Sequence, residues 1–315
     1  MVSPILVGDI GGTHVRFAVA SFDGRWHLTR KWDSEAHLSF QDLLRDYIAR
    51  CGTALPRAVS LAVAGPVGDG AAVLTNRQWR LAESDLLTFG FSQARLTNDF
   101  AALASAAPQL APEQLFTLGL DQPGMEGAPV AVMGAGTGFG ASCLLRHGDR
   151  CLPLACEAGH IGFAPTDEKE DAVLKILRAR FGRVSVERLL SGPGLENLLA
   201  ALRHLQGASG NAMDAATIMH QGEIGDTLCR ETVAMFCGIY GSVAGDLALA
   251  LGARGGVYLA GGIALKIKSI LAASQFRQRF EDKGRLSYYL RSIPTRIVTD
   301  PDATLIGAAI SMDLA

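Results

Sequence analysis

The sequence predicts an α/β protein of two similar halves, each opening with a strand, a glycine-rich turn and a second strand before helices and strands alternate. Three observations carry this. Residues 5–20 and 130–145 share the order strand, Gly-rich turn, strand. Ala58 to Ala64 is a near-continuous apolar run, the pattern of a central strand covered on both faces. Over Asp226 to Leu251 apolar residues recur at spacings of three and four, which marks a long helix with a buried face. A chain of 315 residues has room for two domains and for cores that need no disulfide or metal staple.

In order along the chain, Ile5 to Gly8 reads as a buried strand, Gly11-Gly12 as a tight turn and Val15 to Ala20 as a second strand. Asp23-Gly24 then turns the chain into a third strand near His27 to Lys31, completing a meander. Ser39, with Asp42 three positions on, caps a helix whose Leu43, Leu44, Tyr47, Ile48 and Cys51 share one face. The strand at 58–64 comes next, then a shorter one at Ala94 to Thr97 that leads into a helix over Phe100 to Ala107. The second half repeats the pattern: Val130 to Met133, the loop 134–140, Ala141 to Leu145, and a turn at Asp149 into a strand at Cys151 to Ala155. Helices are expected over Glu170 to Phe181, Gly192 to Leu205 and Asp226 to Leu251, then a strand at Gly256 to Ala260 and a further helix. A last helix, Ala303 to Met312, returns to the first half.

Composition removes several classes of function. Lys+Arg 29 against Asp+Glu 31 leaves a formal charge of −2 with no run of one sign, so the electrostatic footprint of a nucleic-acid or membrane-surface binder is missing. Gly127 to Leu145 is uncharged and long enough for a membrane span, but Pro129 and its glycines fit a soluble strand, loop and strand better. The start shows no basic region of a signal peptide. Six cysteines without a CxxC pair read as buried reduced thiols, hence a cytosolic protein. The 36 glycines exceed the usual share of about 7 % and concentrate in particular loops and one helix.

Those loops are where chemistry can sit. Gly8-Asp9-Ile10-Gly11-Gly12-Thr13 can bring backbone N–H groups close to a polyanion, with Asp9 at a strand end able to organise Mg²⁺; a plain glycine hairpin is the alternative. Gly134 to Gly140 formally matches a dinucleotide fingerprint, but the residues after it, from Ala141, read as a strand and not as the helix that motif must open. No Gly-Lys pair exists, which excludes a P-loop. Asn98-Asp99 lies where a strand runs into a helix, a place for a reactive carboxylate or simply for a cap. Glu157 and His160, with Glu187 downstream, suit hydrogen bonds to a polyol, whereas Cys151, Cys156 and His160 lack the spacing and fourth ligand of a zinc site. Gly261-Gly262 ends a strand before a helix, which suits an adenosine resting on backbone or a helix packed tightly on a strand.

Taken together, Gly8 to Thr13, Asn98-Asp99-Phe100, Gly134 to Gly138, Glu157-x-x-His160, Glu187 to Gly194 and Gly256 to Gly262 resemble the bacterial glucokinase family over essentially the whole chain. The resemblance implies the actin-like, ribonuclease H-like fold, with duplicated βββαβα halves around a central cleft. The small α/β domain would comprise residues 1–108 plus 300–315 and the large one residues 109–299. The cysteine-rich zinc motif of the related repressor and sugar-kinase family is absent, and His14 stands where a small or polar residue such as Asn is expected.

The resemblance also implies roles. Asp99 is the general base that takes the proton from the sugar O6 as it attacks the γ-phosphate of ATP. Asn98, Asp99, Glu157, His160 and Glu187 hold the sugar hydroxyls. Gly8, Asp9, Ile10, Gly11, Gly12, Thr13, Gly136, Thr137, Gly138, Gly261 and Gly262 bind the nucleotide cofactor: Gly11 to Thr13 and Gly136 to Gly138 clamp phosphate, Gly261 and Gly262 floor the adenosine, and Asp9 organises Mg²⁺. The implied reaction is phosphorylation of glucose to glucose 6-phosphate, the first step of glycolysis, by a cytoplasmic homodimer. Its dimer surface is sought on the exposed part of the long helix with the segment Phe276 to Tyr289. A kinase of another substrate, such as glucosamine, fructose or acetate, and a non-catalytic sugar-sensing protein are the alternatives.

Overall fold

The computed structural model describes residues 4–21, 25–33, 39–52, 56–74, 79–148 and 150–313. The chain divides into two compact units, Met1–Leu110 with Asp149–Ala155 and Asp300–Ala315, and Ala111–Gly148 with Cys156–Thr299.

The first unit opens with the expected meander, β1 (Ile5–Ile10), β2 (His14–Ala20) and β3 (Trp26–Asp33). Helix α1 (Phe40–Cys51) starts at Ser39, whose hydroxyl accepts the Asp42 N–H at 3.1 Å and donates to its carboxylate at 2.6 Å. Strand β4 (Ala58–Val63) is buried at every position, as a central strand must be. Three very short strands come after it, β5 (Val67–Gly68), β6 (Ala71–Leu74) and β7 (Trp79–Ala82), forming a small sheet of their own. The chain then runs through α2 (Glu83–Leu87), β8 (Gln93–Asn98) and α3 (Asp99–Ala106). The main sheet has the order β3-β2-β1-β4-β8, with β1, β4 and β8 parallel. Phe17, Trp32, Phe40, Tyr47 and Trp79 form a chain of aromatic contacts on its α1 face.

The remaining chain repeats this scheme. After β9 (Leu115–Leu118) come β10 (Val130–Ala135), β11 (Phe139–His147) and β12 (Arg150–Cys156), the last counted with the first unit up to Ala155, then α4 (Glu168–Phe181), α5 (Gly192–Gln206), α6 (Ala215–Ile224) and α7 (Thr227–Leu251). Strand β13 (Gly256–Ala260) is followed by four short helices, α8 (Gly262–Lys266), α9 (Lys268–Ala273), α10 (Phe276–Glu281) and α11 (Ser287–Arg291), and then β14 (Thr295–Val298). The sheet order is β12-β11-β10-β13-β14-β9, again an antiparallel meander leading into parallel strands. Helix α12 (Ala303–Asp313) returns to the first unit, where Leu305 and Ala308 share a core with Ile5, Val7 and Ala102.

Several expectations change. The uncharged stretch 127–145 is the β10–β11 hairpin, and its turn narrows to 136–138 because Gly134, Ala135, Phe139 and Gly140 are strand residues. The helix long and apolar enough to cross a membrane is α7, and 72 % of that apolar window is buried within the protein. Two of its glycines permit close backbone approach: a Cβ on Gly241 or Gly245 would overlap the carbonyl oxygens of Phe276 and Phe280 on α10. Consequently Phe276 and Phe280 are fully buried against their own chain, and the expected dimer segment exposes Tyr288 instead. Cys143, Cys229 and Cys237 are buried as expected, but Cys51, Cys151 and Cys156 are only half-buried. The turns expected at Asp23-Gly24 and Asp149 lie outside the described residues.

Candidate active site

In the first unit the predicted residues gather at the C-terminal ends of parallel strands. Ile10, Val63 and Asn98 lie in one register row across β1, β4 and β8, so the β1–β2 turn and the β8–α3 corner are two strand spacings apart, about 10 Å. The turn is closed by the Gly11 N–H donating to the His14 carbonyl at 2.9 Å, which leaves Thr13 exposed at its edge and gives His14 a role through its backbone. Gly8 and Ile10, expected among the nucleotide contacts, are instead buried in the sheet. A Cβ on Gly8 would stand 2.7 Å from Leu61 and 2.8 Å from Phe17, so packing accounts for that glycine.

At the β8–α3 corner Asn98 is the cap and Asp99 the first helical residue. The Asn98 side chain accepts the Ala101 N–H at 3.0 Å and donates to the Gly65 carbonyl at 3.0 Å, while Asp99 Oδ1 accepts the Phe100 N–H at 2.9 Å. The corner therefore fixes the Asp99 carboxylate at a helix N-terminus, where negative charge is favoured. Asn98→Ala is expected to lower stability by about 1–2 kcal/mol in urea denaturation, because it removes a cap as well as any ligand contact.

In the second unit, one turn organises the rest. Gly136 N–H donates to the Gly138 carbonyl and the Gly192 N–H to the Gly136 carbonyl, both at 2.8 Å, with Thr137 exposed at the tip. The N-terminus of α5 is thus spent on holding the turn: Gly192 binds Gly136, residue 193 is proline, and Ser191 Oγ accepts the Gly194 N–H at 3.0 Å. Glu187 Oε2 accepts the Phe139 N–H at 2.9 Å, which gives this predicted sugar ligand a structural bond as well. Glu157 and His160 flank a single 3₁₀ turn closed by the His160 N–H and the Glu157 carbonyl at 3.0 Å, so both exposed side chains lie on one side of it. That turn is tied to the one carrying Glu187 by Val186 N–H to the Ile161 carbonyl at 3.0 Å. Gly261 has φ +86° and would place a Cβ 2.7 Å from the Ala135 oxygen, a packing reason, whereas Gly262 is exposed and faces nothing within 4 Å.

Electrostatics single out Asp9. Burial pushes its carboxyl above the ordinary value, opposed by Arg16 and then Lys31, although 32 % of the side chain remains exposed. Among the described residues no group of three His, Cys, Asp or Glu could hold a metal. One carboxylate suffices for Mg²⁺ that also takes substrate phosphates, so the donor set at Asp9 fits a nucleotide-borne cation and not an all-protein cage. Burial also raises Cys156, whose thiol donates to the Ala141 carbonyl at 3.4 Å, and pushes Cys143 up to about 11, so both stay protonated and neither is a ready metal ligand. A cavity of about 570 Å³ between α4, α7 and α10 contains none of these site residues; its Arg279 pairs with Glu170 at 2.7 Å and its Lys169 with Glu231.

A family model described as glucokinase matches residues 6–315. A glucokinase of Caulobacter sp. (strain K31) is 48 % identical over 311 residues, 98 % of this chain and 94 % of that protein. The chain belongs to the glucokinase family. A crystal structure of a glucokinase from an Antarctic psychrotroph matches with a TM-score of 0.90 at 37 % identity, covering 100 % of both chains. A glucokinase of Balamuthia mandrillaris, determined in complex with glucose, shares the fold with a TM-score of 0.81 at 20 % identity, over 98 % of this chain and 92 % of that one. The architecture is accordingly the two-domain, actin-like α/β fold of the glucokinase family.

Two polar residues at this glucokinase-family site escaped the motif reading. Arg16 lies directly across from Asp9 in the β1–β2 register, and Asp302 pairs with Arg16 at 2.7 Å. Counting outward from a two-residue Gly12-Thr13 turn pairs Gly11 with His14, Ile10 with Val15 and Asp9 with Arg16, because a hairpin fixes its partners symmetrically. No local signal exposes the second, since the two residues are 286 positions apart.

Proposed function

We propose that this chain transfers the γ-phosphoryl group of ATP to O6 of glucose, with Asp99 as the general base. The observation that carries it is the shared sheet edge: a glycine turn beside Asp9 and a helix-capped Asp99 about 10 Å apart, room for a phosphoryl group in transfer between them. The Asp99 carboxylate accepts the O6 proton as O6 bonds to the γ-phosphorus and the bond to the β-phosphate oxygen breaks, releasing ADP. Positioning and charge neutralisation dominate such a loose transition state. Asp9 would hold the Mg²⁺ that, when bound, neutralises the phosphate charge. Glu157, His160 and Glu187 supply acceptors and a ring N–H for the sugar hydroxyls, while the turns Gly11 to Thr13 and Gly136 to Gly138 and Gly262 supply surfaces for the nucleotide, with nothing within 4 Å of where a Cβ would stand at Gly136 and Gly262. Gly8 and Gly261 each have a packing reason as well, and Ile10 is buried in the sheet, so their backbone alone is offered to the nucleotide.

We take residues 1–108 with 300–315 as the small domain, 109–299 as the large one, and a cytoplasmic homodimer as the working form. Six unpaired cysteines accord with a reducing compartment. The test is ADP release with Mg·ATP and a panel of glucose, glucosamine, fructose and acetate. Glucose is expected to give the highest kcat/KM, by at least about 10-fold, because a site that pairs every hydroxyl penalises one left unpaired. A higher value for another sugar would reassign the substrate, and no turnover with any would favour a sugar sensor.

A further inference from the structure

The Asp9 carboxylate faces a cation from the opposite strand of its hairpin. Arg16, only 17 % exposed at its side chain, points its guanidinium three ways: Nη1 donates to Asp302 Oδ1 at 2.7 Å, Nη2 to the Pro301 carbonyl at 2.5 Å, and Nη2 lies 3.7 Å from Asp9 Oδ2. Asp302 in turn begins α12, its carbonyl accepting the Ile306 N–H at 2.9 Å, while its own N–H donates to Asp300 Oδ1 at 2.7 Å. Helix α12 itself is rigidly seated, since a Cβ on Gly307 would overlap the Ala102 carbonyl of α3. The planar fork of an arginine, unlike an ammonium, can satisfy a carboxylate and a carbonyl while still facing a second carboxylate.

We propose that Arg16 is a positioning residue, clamped by the start of α12 so that it holds the Asp9 carboxylate at the cation end of the nucleotide site. The start of the C-terminal helix thereby sets the divalent-cation requirement of nucleotide binding. This rests on Asp9 as the cation-organising carboxylate.

The test is calorimetric titration of ADP at graded Mg²⁺ concentrations, with glucose titrated separately. Arg16→Ala and Asp302→Ala should each raise the Mg²⁺ concentration for half-maximal ADP binding by about tenfold, the usual effect of losing a residue behind a metal ligand. The double variant should be no worse than Arg16→Ala alone, because both act through one contact, and Arg16→Lys should recover part of the loss. Glucose affinity should stay within about twofold, which a general loss of fold would not allow. Asp302→Asn, which can still cap α12, guards against helix fraying and should fall between wild type and Asp302→Ala. Additive effects of the two alanine variants, or an unchanged Mg²⁺ requirement, would overturn the coupling. An Asp9→Asn variant that keeps the wild-type Mg²⁺ requirement would instead overturn the role of Asp9 beneath it.

Discussion

Asp99→Asn is expected to reduce kcat for glucose phosphorylation by about 10²- to 10⁴-fold, the range over which a positioned general base acts. That corresponds to roughly 3–5 kcal/mol of transition-state stabilisation. The substitution is nearly isosteric, and an asparagine oxygen can still accept the Phe100 N–H now bound at 2.9 Å, so the β8–α3 corner should survive. Glucose binding should therefore change little, and the loss should fall on kcat more than on KM. Steady-state rates with saturating Mg·ATP, beside a denaturation curve matching wild type, check both halves. A variant that kept most of its kcat would show that the proton leaves O6 by another route.

A large effect on stability is expected at Gly241. A Cβ there would stand 2.8 Å from the Phe276 carbonyl carbon and nearer still to its oxygen, and backbone cannot step aside as a side-chain tip can. Alanine improves helix propensity by about 1 kcal/mol, yet overpacking of this kind costs about 1–3 kcal/mol or more, so Gly241→Ala should destabilise. Gly238 lies one turn earlier on α7 and supplies the control: its Cβ would meet only Arg279, with Nη1 at an ordinary 3.6 Å. Gly238→Ala should accordingly be neutral or stabilising by up to about 1 kcal/mol. Denaturant midpoints at constant slope read the difference. If both variants moved stability in the same direction, helix propensity and not the approach of α10 would govern this face.

Much of the fold was legible because it is written in local periodicity. The apolar run at β4, the Ser39 cap and the apolar spacing of α7 each act within a few residues, and each element formed where its pattern stood. The small β5–β6–β7 sheet was not legible: strands of two to four residues are too short to show alternation. Helix α6 also escaped, its apolar residues spread around the helix instead of gathered on one face. The single helix expected after β13 proved to be four short ones, because α10 and α11 are shaped by packing on α7 and not by a continuous pattern of their own.

For the site, sequence by itself determined which residue types were present in which order, and six motifs in order sufficed to indicate the family. It could not sort the glycines by purpose. A glycine that admits a phosphate and a glycine that admits a neighbouring carbonyl look the same in a sequence, since both are required only by the absence of a Cβ. The tertiary structure shows which of them packing requires: Gly8, Gly241, Gly245 and Gly261 face protein atoms, while a Cβ at Gly136 or Gly262 would meet nothing within 4 Å. It alone also joined Arg16 to Asp302, because contacts between distant segments depend on how the chain returns on itself, which no short-range pattern encodes.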